Sequence, residues 1–215
     1  MFTRLRSLKM ASVKGPLMSM DASGKLANAV VFSKWKGRAY VRGHVVPSNP
    51  KSAGQKGVRA MMRFLAVVWD GLSALEKSGW ETLAAATGIS PFNAFVAYNM
   101  DRWTQFTTPI ITPGQAAGTA PTMGALTVTG GVRQITYSQA ITTPQNIWGV
   151  LFFLNATGTY TPARANCVYA AVYSASPVTA VLSDIEPGTY YADAIGFTEG
   201  GAVTAAVGEA QVTVT

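Results

Sequence analysis

One cysteine, Cys167, and one histidine, His44, serve all 215 residues. A single cysteine closes no disulfide within the chain and cannot build a cysteine-ligated metal cluster. A single histidine leaves one candidate for a Ser-His-Asp relay, and His44 lies in RAYVRGHVV with no acid near it in sequence. Acids number only ten. Paired carboxylates for glycoside chemistry would have to come from Asp184, Glu186, Asp193, Glu199 or Glu209, which turn and edge positions explain more simply. No GxxxxGKS, GxxxxGKT or GxGxxG sequence occurs. No apolar run reaches the ~18–20 residues of a membrane span, and no apolar signal core follows the basic opening MFTRLRSLKM. The expectation is a non-enzymatic protein made in the cytoplasm, without cofactor, metal or membrane.

What the chain does have is unevenly placed charge. The net value of +7 is a property of the first third alone. Residues 1–63 hold 13 Lys/Arg against Asp21, residues 64–112 hold two bases against four acids, and residues 113–215 hold two against five. Such asymmetry is what an electrostatic docking arm needs, and also what a nucleic-acid arm needs.

Residues 30–72, VVFSKWKGRAYVRGHVVPSNPKSAGQKGVRAMMRFLAVVWDGL, organise the front of the molecule. Val30, Val31 and Phe32 form a short β-prone run. A loop over 33–37 follows, in which Gly37 supplies positive φ, and a second strand runs from Tyr40 until Pro47 stops it. Alternation places Arg38, Tyr40, Arg42 and His44 on one face and Ala39, Val41, Gly43 and Val45 on the other. Trp35 sits at the tip between Lys34 and Lys36, and an exposed tryptophan asks for a covering partner. Candidate partner-binding residues are therefore Arg4, Arg6 and Lys9 of the arm, with Lys34, Trp35, Lys36, Arg38, Tyr40 and Arg42 of the hairpin.

Asn49-Pro50 predicts a helix start, and Val58, Met61, Met62, Leu65, Val68, Trp69 and Leu72 form its apolar stripe. Gly54 and Gly57 weaken its first turns and permit a close approach by another chain. Ser73-Ala74-Leu75-Glu76 is a capping box for a helix over 74–87 carrying Leu75, Trp80, Leu83 and Ala84, and Gly88 stops it. Ser90-Pro91 opens a third helix with Phe92, Phe95, Val96, Trp103 and Phe106 on its apolar face. TTPIITPGQAAGTAPT, residues 107–122, lacks charge and period and reads as a linker.

From Met123 the period becomes two. Strands are expected over 125–129, 134–138, 148–155, 167–173, 178–182, 189–197 and 210–215, the pattern of an antiparallel sandwich, with Trp148, Phe152, Leu154 and Tyr191 in its core. Ile185-Glu186-Pro187-Gly188-Thr189-Tyr190-Tyr191, then Ala192, Ala194 and Gly200-Gly201, resembles the E–F turn and F strand of fibronectin type III domains. The resemblance spans residues 120–215. Its B strand lacks a tryptophan, which leaves an immunoglobulin-like sandwich of another topology open. The fold class is thus an α+β N-terminal domain, a basic hairpin plus three helices, followed by an all-β Ig-like or fibronectin III-like sandwich. The expected divisions are a basic arm (1–24), a docking domain (25–108), a linker (109–122) and the sandwich (123–215).

The front half carries a second likeness. Gly24-Lys25, Phe32-Ser33-Lys34-Trp35-Lys36-Gly37-Arg38, Tyr40-Val41-Arg42, Pro47-Ser48-Asn49-Pro50, Gln55, Arg59, Trp69, Leu72, Trp80 and Ser90-Pro91-Phe92-Asn93-Ala94-Phe95 resemble small proteins encoded in tailed-bacteriophage structural gene clusters. That resemblance implies a virion component, a head decoration or an accessory neck or tail protein. Its partners would be capsid, head–tail or tail subunits, and it would be a homo-oligomer or present in many copies on the particle. Two other readings stand beside it. One is a receptor- or carbohydrate-binding module in the sandwich. The other is a nucleic-acid-binding protein, since helices 50–70 and 74–87 form a loose helix-turn-helix whose second helix offers only Lys77 as a base.

Overall fold

The structure, a computed structural model, describes residues 11–12, 24–26, 29–46, 49, 52–143 and 147–215. The chain divides into two compact units, Met1–Pro50 and Lys51–Thr215.

The first unit is a small antiparallel sheet. Strands β1 (Ala11–Ser12), β2 (Gly24–Leu26), β3 (Val30–Trp35) and β4 (Arg38–Gly43) lie in the order β1-β4-β3-β2. Lys36 and Gly37 join β3 to β4 with φ of 48° and 78°, the two positive values of a two-residue hairpin turn. The expected loop over 33–37 therefore shrinks to two residues. Ser33, Lys34 and Trp35 stay in the ladder opposite Tyr40, Ala39 and Arg38. One short piece of the segment expected to be an arm, Ala11–Ser12, is a strand beside β4, and β2, beside β3, starts at that segment's last residue, Gly24. They are too short to show a period.

The second unit opens with three helices, α1 (Ala53–Gly71), α2 (Ala74–Thr87) and α3 (Pro91–Thr104). Helix α1 begins at Ser52, not Asn49, and Ser52 makes no side-chain cap hydrogen bond; Pro50 lies outside the described residues. Its buried stripe is Gly57, Ala60, Met61, Phe64, Leu65 and Val68. Val58 and Met62, assigned to that stripe from sequence, are exposed. Phe64, which they displaced in the sequence reading, is buried. Helix α2 has the expected capping box. Ser73 N–H donates to Glu76 Oε2 at 2.6 Å and Glu76 N–H donates to Ser73 Oγ at 3.4 Å. Gly88 ends it in the left-handed conformation, φ 68°. Trp80 and Ala84 are buried, whereas Leu75 and Leu83 are exposed. Ser90 caps α3 by accepting from Asn93 N–H at 3.2 Å. Phe106, expected on its apolar face, lies past its C-terminus.

Seven strands follow among the described residues, matching the seven expected runs to within a few residues at each end: β5 (Met123–Gly131), β6 (Gln134–Ile141), β7 (Gly149–Asn155), β8 (Cys167–Val172), β9 (Val178–Ser183), β10 (Gly188–Phe197) and β11 (Ala210–Val214). They form a three-stranded sheet, β5-β6-β9, and a four-stranded sheet, β11-β10-β7-β8. This is an immunoglobulin-like Greek-key sandwich. Ile135, Tyr137, Val150, Phe152, Ala192, Ala194 and Val212 fill the space between the sheets. Tyr137, fully buried on the second strand, packs on Phe152 at 5.0 Å between ring centroids. At the turn before β10, Tyr190 Oη donates to the Glu186 carbonyl at 3.0 Å, a tyrosine corner.

The helices and the sandwich share a second core. Alternation along β7 sends Val150 and Phe152 between the sheets, and Leu151 and Phe153 into a cluster with Met61, Phe64, Leu65, Trp80, Phe95 and Trp103. Trp148, expected between the sheets, belongs to this helix-facing cluster. Its ring meets Phe64 edge-on at 5.2 Å. Tyr191 is half-buried and belongs to neither cluster. Residues 108–111, the expected start of a linker, are pinned on both sides. Asn99 exchanges two hydrogen bonds with Ile110, at 2.8 and 3.1 Å. Trp80 Nε1 donates to the Ile111 carbonyl at 2.8 Å, and Ile111 N–H donates to the Glu199 carbonyl at 2.9 Å. The grouping of 25–108 as one domain ahead of a linker is thus redrawn: contacts divide the chain near Pro50, and the helices go with the sandwich because both bury apolar faces against each other.

Candidate docking surface

Register sorts the hairpin unit's side chains, because residues opposite one another in an antiparallel pair share a face. Trp35 pairs with Arg38, Ser33 with Tyr40, and Val31 with Arg42. Lys25 pairs with Val31. One face therefore presents Lys25, Trp35, Arg38, Tyr40 and Arg42. The other carries Val30, Phe32, Ala39 and Val41, together with Lys34. The structure thus joins four of the sequence candidates, Trp35, Arg38, Tyr40 and Arg42, on one surface. It places Lys34 on the opposite face and Lys36 in the turn. Arg4, Arg6 and Lys9 lie outside the described residues. Lys25 was missed by the sequence reading, since only the β2–β3 register brings it in.

Trp35 is 67% exposed, and Lys36 Nζ stands 4.8 Å from its ring centroid. That contact enriches the tip in positive charge while leaving most of the indole open. Tyr40 is half-buried, and Arg38 and Arg42 are exposed. None of the described residues in this unit is an acid. The face can therefore offer guanidinium donors and a large aromatic to a partner that is anionic and partly apolar.

The other chemically notable groups are engaged structurally. Arg133 bonds Asp184 at 3.2 Å and Glu186 at 2.9 Å, and these two carboxylates raise its pKa, the Glu186 hydrogen bond foremost. Asp193 accepts from the N–H groups of Ala194 and Gly208 at 2.7 and 3.2 Å. Glu209 accepts from Thr159 N–H at 2.7 Å. Burial pushes the Cys167 thiol up to about 12, which keeps it a protonated apolar group. Lys77, the base that a DNA-reading α2 would offer, stands 5.4 Å from the Trp69 ring centroid. Among the described residues no three His, Cys, Asp or Glu gather as a metal site, and no helix is long and apolar enough to cross a membrane.

No protein-family model matches the chain, and no curated protein matches it. Among solved structures, the chicken CNTN1 FN1–FN3 domains share 14% identity at a TM-score of 0.36, over 45% of this chain and 32% of that one. This chain thus covers about a third of that structure's length. A structure described as a myokine shares 12% identity at a TM-score of 0.36, over 45% of this chain and 100% of the other. A superoxide reductase (neelaredoxin) from Ignicoccus hospitalis shares 14% at 0.30, over 47% and 89%. The immunoglobulin-like description of residues 123–215 rests on their own strand order and tyrosine corner.

Proposed function

We propose that this chain is a non-enzymatic structural protein of a tailed-bacteriophage virion, a head decoration or an accessory neck or tail protein. Its basic N-terminal unit docks on neighbouring virion subunits, and the rest of the chain displays the sandwich. The observation that carries the reading is the face of the hairpin unit, where Trp35, Arg38, Tyr40, Arg42 and Lys25 converge with no described acid beside them. The likeness of residues 24–95 to proteins of phage structural gene clusters supports it. So does the confinement of positive charge to residues 1–63.

The test is particle occupancy. Charge reversal at Lys34, Lys36, Arg38 and Arg42 together (each →Glu) is expected to lower the copy number on purified particles at least tenfold at moderate salt. Lys34→Glu alone, on the opposite face, is expected to change it little. Unchanged occupancy with all four reversed would remove the electrostatic docking reading.

A further inference from the structure

A groove of about 320 Å³ opens in the second unit, between α1 and the edge of the sandwich. Its helix wall carries Lys56, Arg59 and Arg63, its floor Val168 and Tyr169 of β8, and its far wall residues 181–185 at the end of β9. Three cations at steps of three and four residues share one side of the helix. Arg63 stacks over Tyr169 at 5.7 Å from the ring centroid, which directs its charge across the floor. Asp184, the one acid among these lining residues, is bonded to Arg133 at 3.2 Å, and Asp184 and Arg59 each make a further interaction, so the groove sets three helix cations against one shared carboxylate.

The far wall adds a second feature. Among the described residues, strand β9 ends its sheet and pairs only with β6, so one row of its backbone N–H and C=O groups has no strand partner there. Edge strands invite pairing by another chain unless a charge, a proline or a cover blocks them. Within Val178–Ser183 there is no charge and no proline, and Val181 is 54% exposed. A free edge facing a cationic helix across an apolar floor suits one kind of occupant: an extended peptide that adds a strand to β9 and turns acidic side chains toward the helix.

We infer that this groove is a second docking site, taking an extended acidic segment of a partner protein as an added strand on β9, with its carboxylates on Lys56, Arg59 and Arg63. It uses none of the hairpin residues and does not depend on the virion reading. Alternation is its sequence requirement. Acids at every second position of the segment face the helix, and apolar residues between them lie beside Val181 on the outer face of the sheet.

The probe is a fluorescein-labelled ten-residue peptide of alternating Glu and Val, titrated into the full chain. Controls are the Lys–Val peptide and single-stranded dT10. The Glu–Val peptide is expected to bind, to weaken with salt, and to slow amide hydrogen exchange across residues 178–183. Arg59→Gln with Arg63→Gln is expected to weaken it at least tenfold, and Lys56→Gln alone by a smaller factor with the same sign. Both variants are checked for a native near-ultraviolet spectrum. Arg38→Glu with Arg42→Glu is expected to leave the β9 protection in place, which separates this site from the hairpin face. Binding without protection of β9 overturns the proposal, as does binding indifferent to all three helix substitutions. Tighter, groove-dependent binding of dT10 would reassign the site to nucleic acid and equally overturn it.

Discussion

Gly54 and Gly57 lie one turn apart on α1 and meet different surroundings. A Cβ on Gly57 would stand 2.5 Å from the Arg164 carbonyl oxygen and 3.4 Å from that of Cys167, whereas one on Gly54 would meet nothing within 4 Å. The close approach that these glycines allow at Gly57 is made by the chain's own backbone, just ahead of β8. Gly57→Ala is therefore expected to destabilise by about 1–3 kcal/mol through forced separation of helix and strand. Gly54→Ala is expected to stabilise by about 0.4–1 kcal/mol, because alanine restricts the unfolded chain and suits a helix. Urea unfolding of the two variants gives the opposite signs directly. Cys167 sets a pH dependence at the same scale. Its pKa rises on folding from the model-compound value of 9.0 to about 12, so between those values the unfolded chain has lost a proton that the folded chain keeps. Its contribution is intact below pH 9 and falls as pH rises, by up to about 1.4 kcal/mol per pH unit. Burial also raises Tyr137 and Tyr160, which adds to the alkaline loss. Cys167→Ala should flatten the decline in a urea series from pH 8 to 11.

At the scale of elements, local chemistry decided what could be read in advance. The ends of α2 and the start of α3 were legible because Ser73, Glu76, Gly88, Ser90 and Pro91 each act within a few residues of chain. Ser73→Ala should cost about 1 kcal/mol by removing the acceptor that Glu76 N–H now has, measurable as a lowered urea midpoint with unchanged slope. The start of α1 was misplaced because Asn49-Pro50 mimics the same signal, while Ser52 begins the helix without a side-chain bond. The stripe of α1 was off at two of its seven positions for a related reason. Val58 and Met62 keep the helical period, but the buried arc is centred on Phe64, whose partners Trp148 and Phe197 lie about a hundred residues away in sequence. The basic and aromatic face of the hairpin was legible along β4, where period two is a property of one strand. Lys25 and the placement of Lys34 needed the register between strands, which no single run of residues encodes.

At the scale of the whole chain, the decisive feature is that the four-stranded sheet is covered by helices along β7, β8 and the end of β10, on the face opposite the sandwich core. The run Val150–Phe153 is continuous and apolar because β7 faces the other sheet through one set of side chains and the helices through the next. Read as half-buried, such a strand puts all its aromatics in one core and leaves the helices to form a domain of their own. With both faces counted, the helices become the cover of the sandwich, and residues 108–111 become the strap that holds them there. A fragment of residues 123–215 would expose Leu151, Phe153 and Phe197, all fully or almost fully buried in the intact chain, as one apolar patch of the kind that drives aggregation. It is expected to aggregate or bind a hydrophobic dye strongly. A fragment of residues 52–215 keeps both cores and should unfold in one cooperative transition. Equal cooperativity and solubility for the two fragments would mean that the sandwich needs no helical cover, and that the boundary lies after the helices rather than before them.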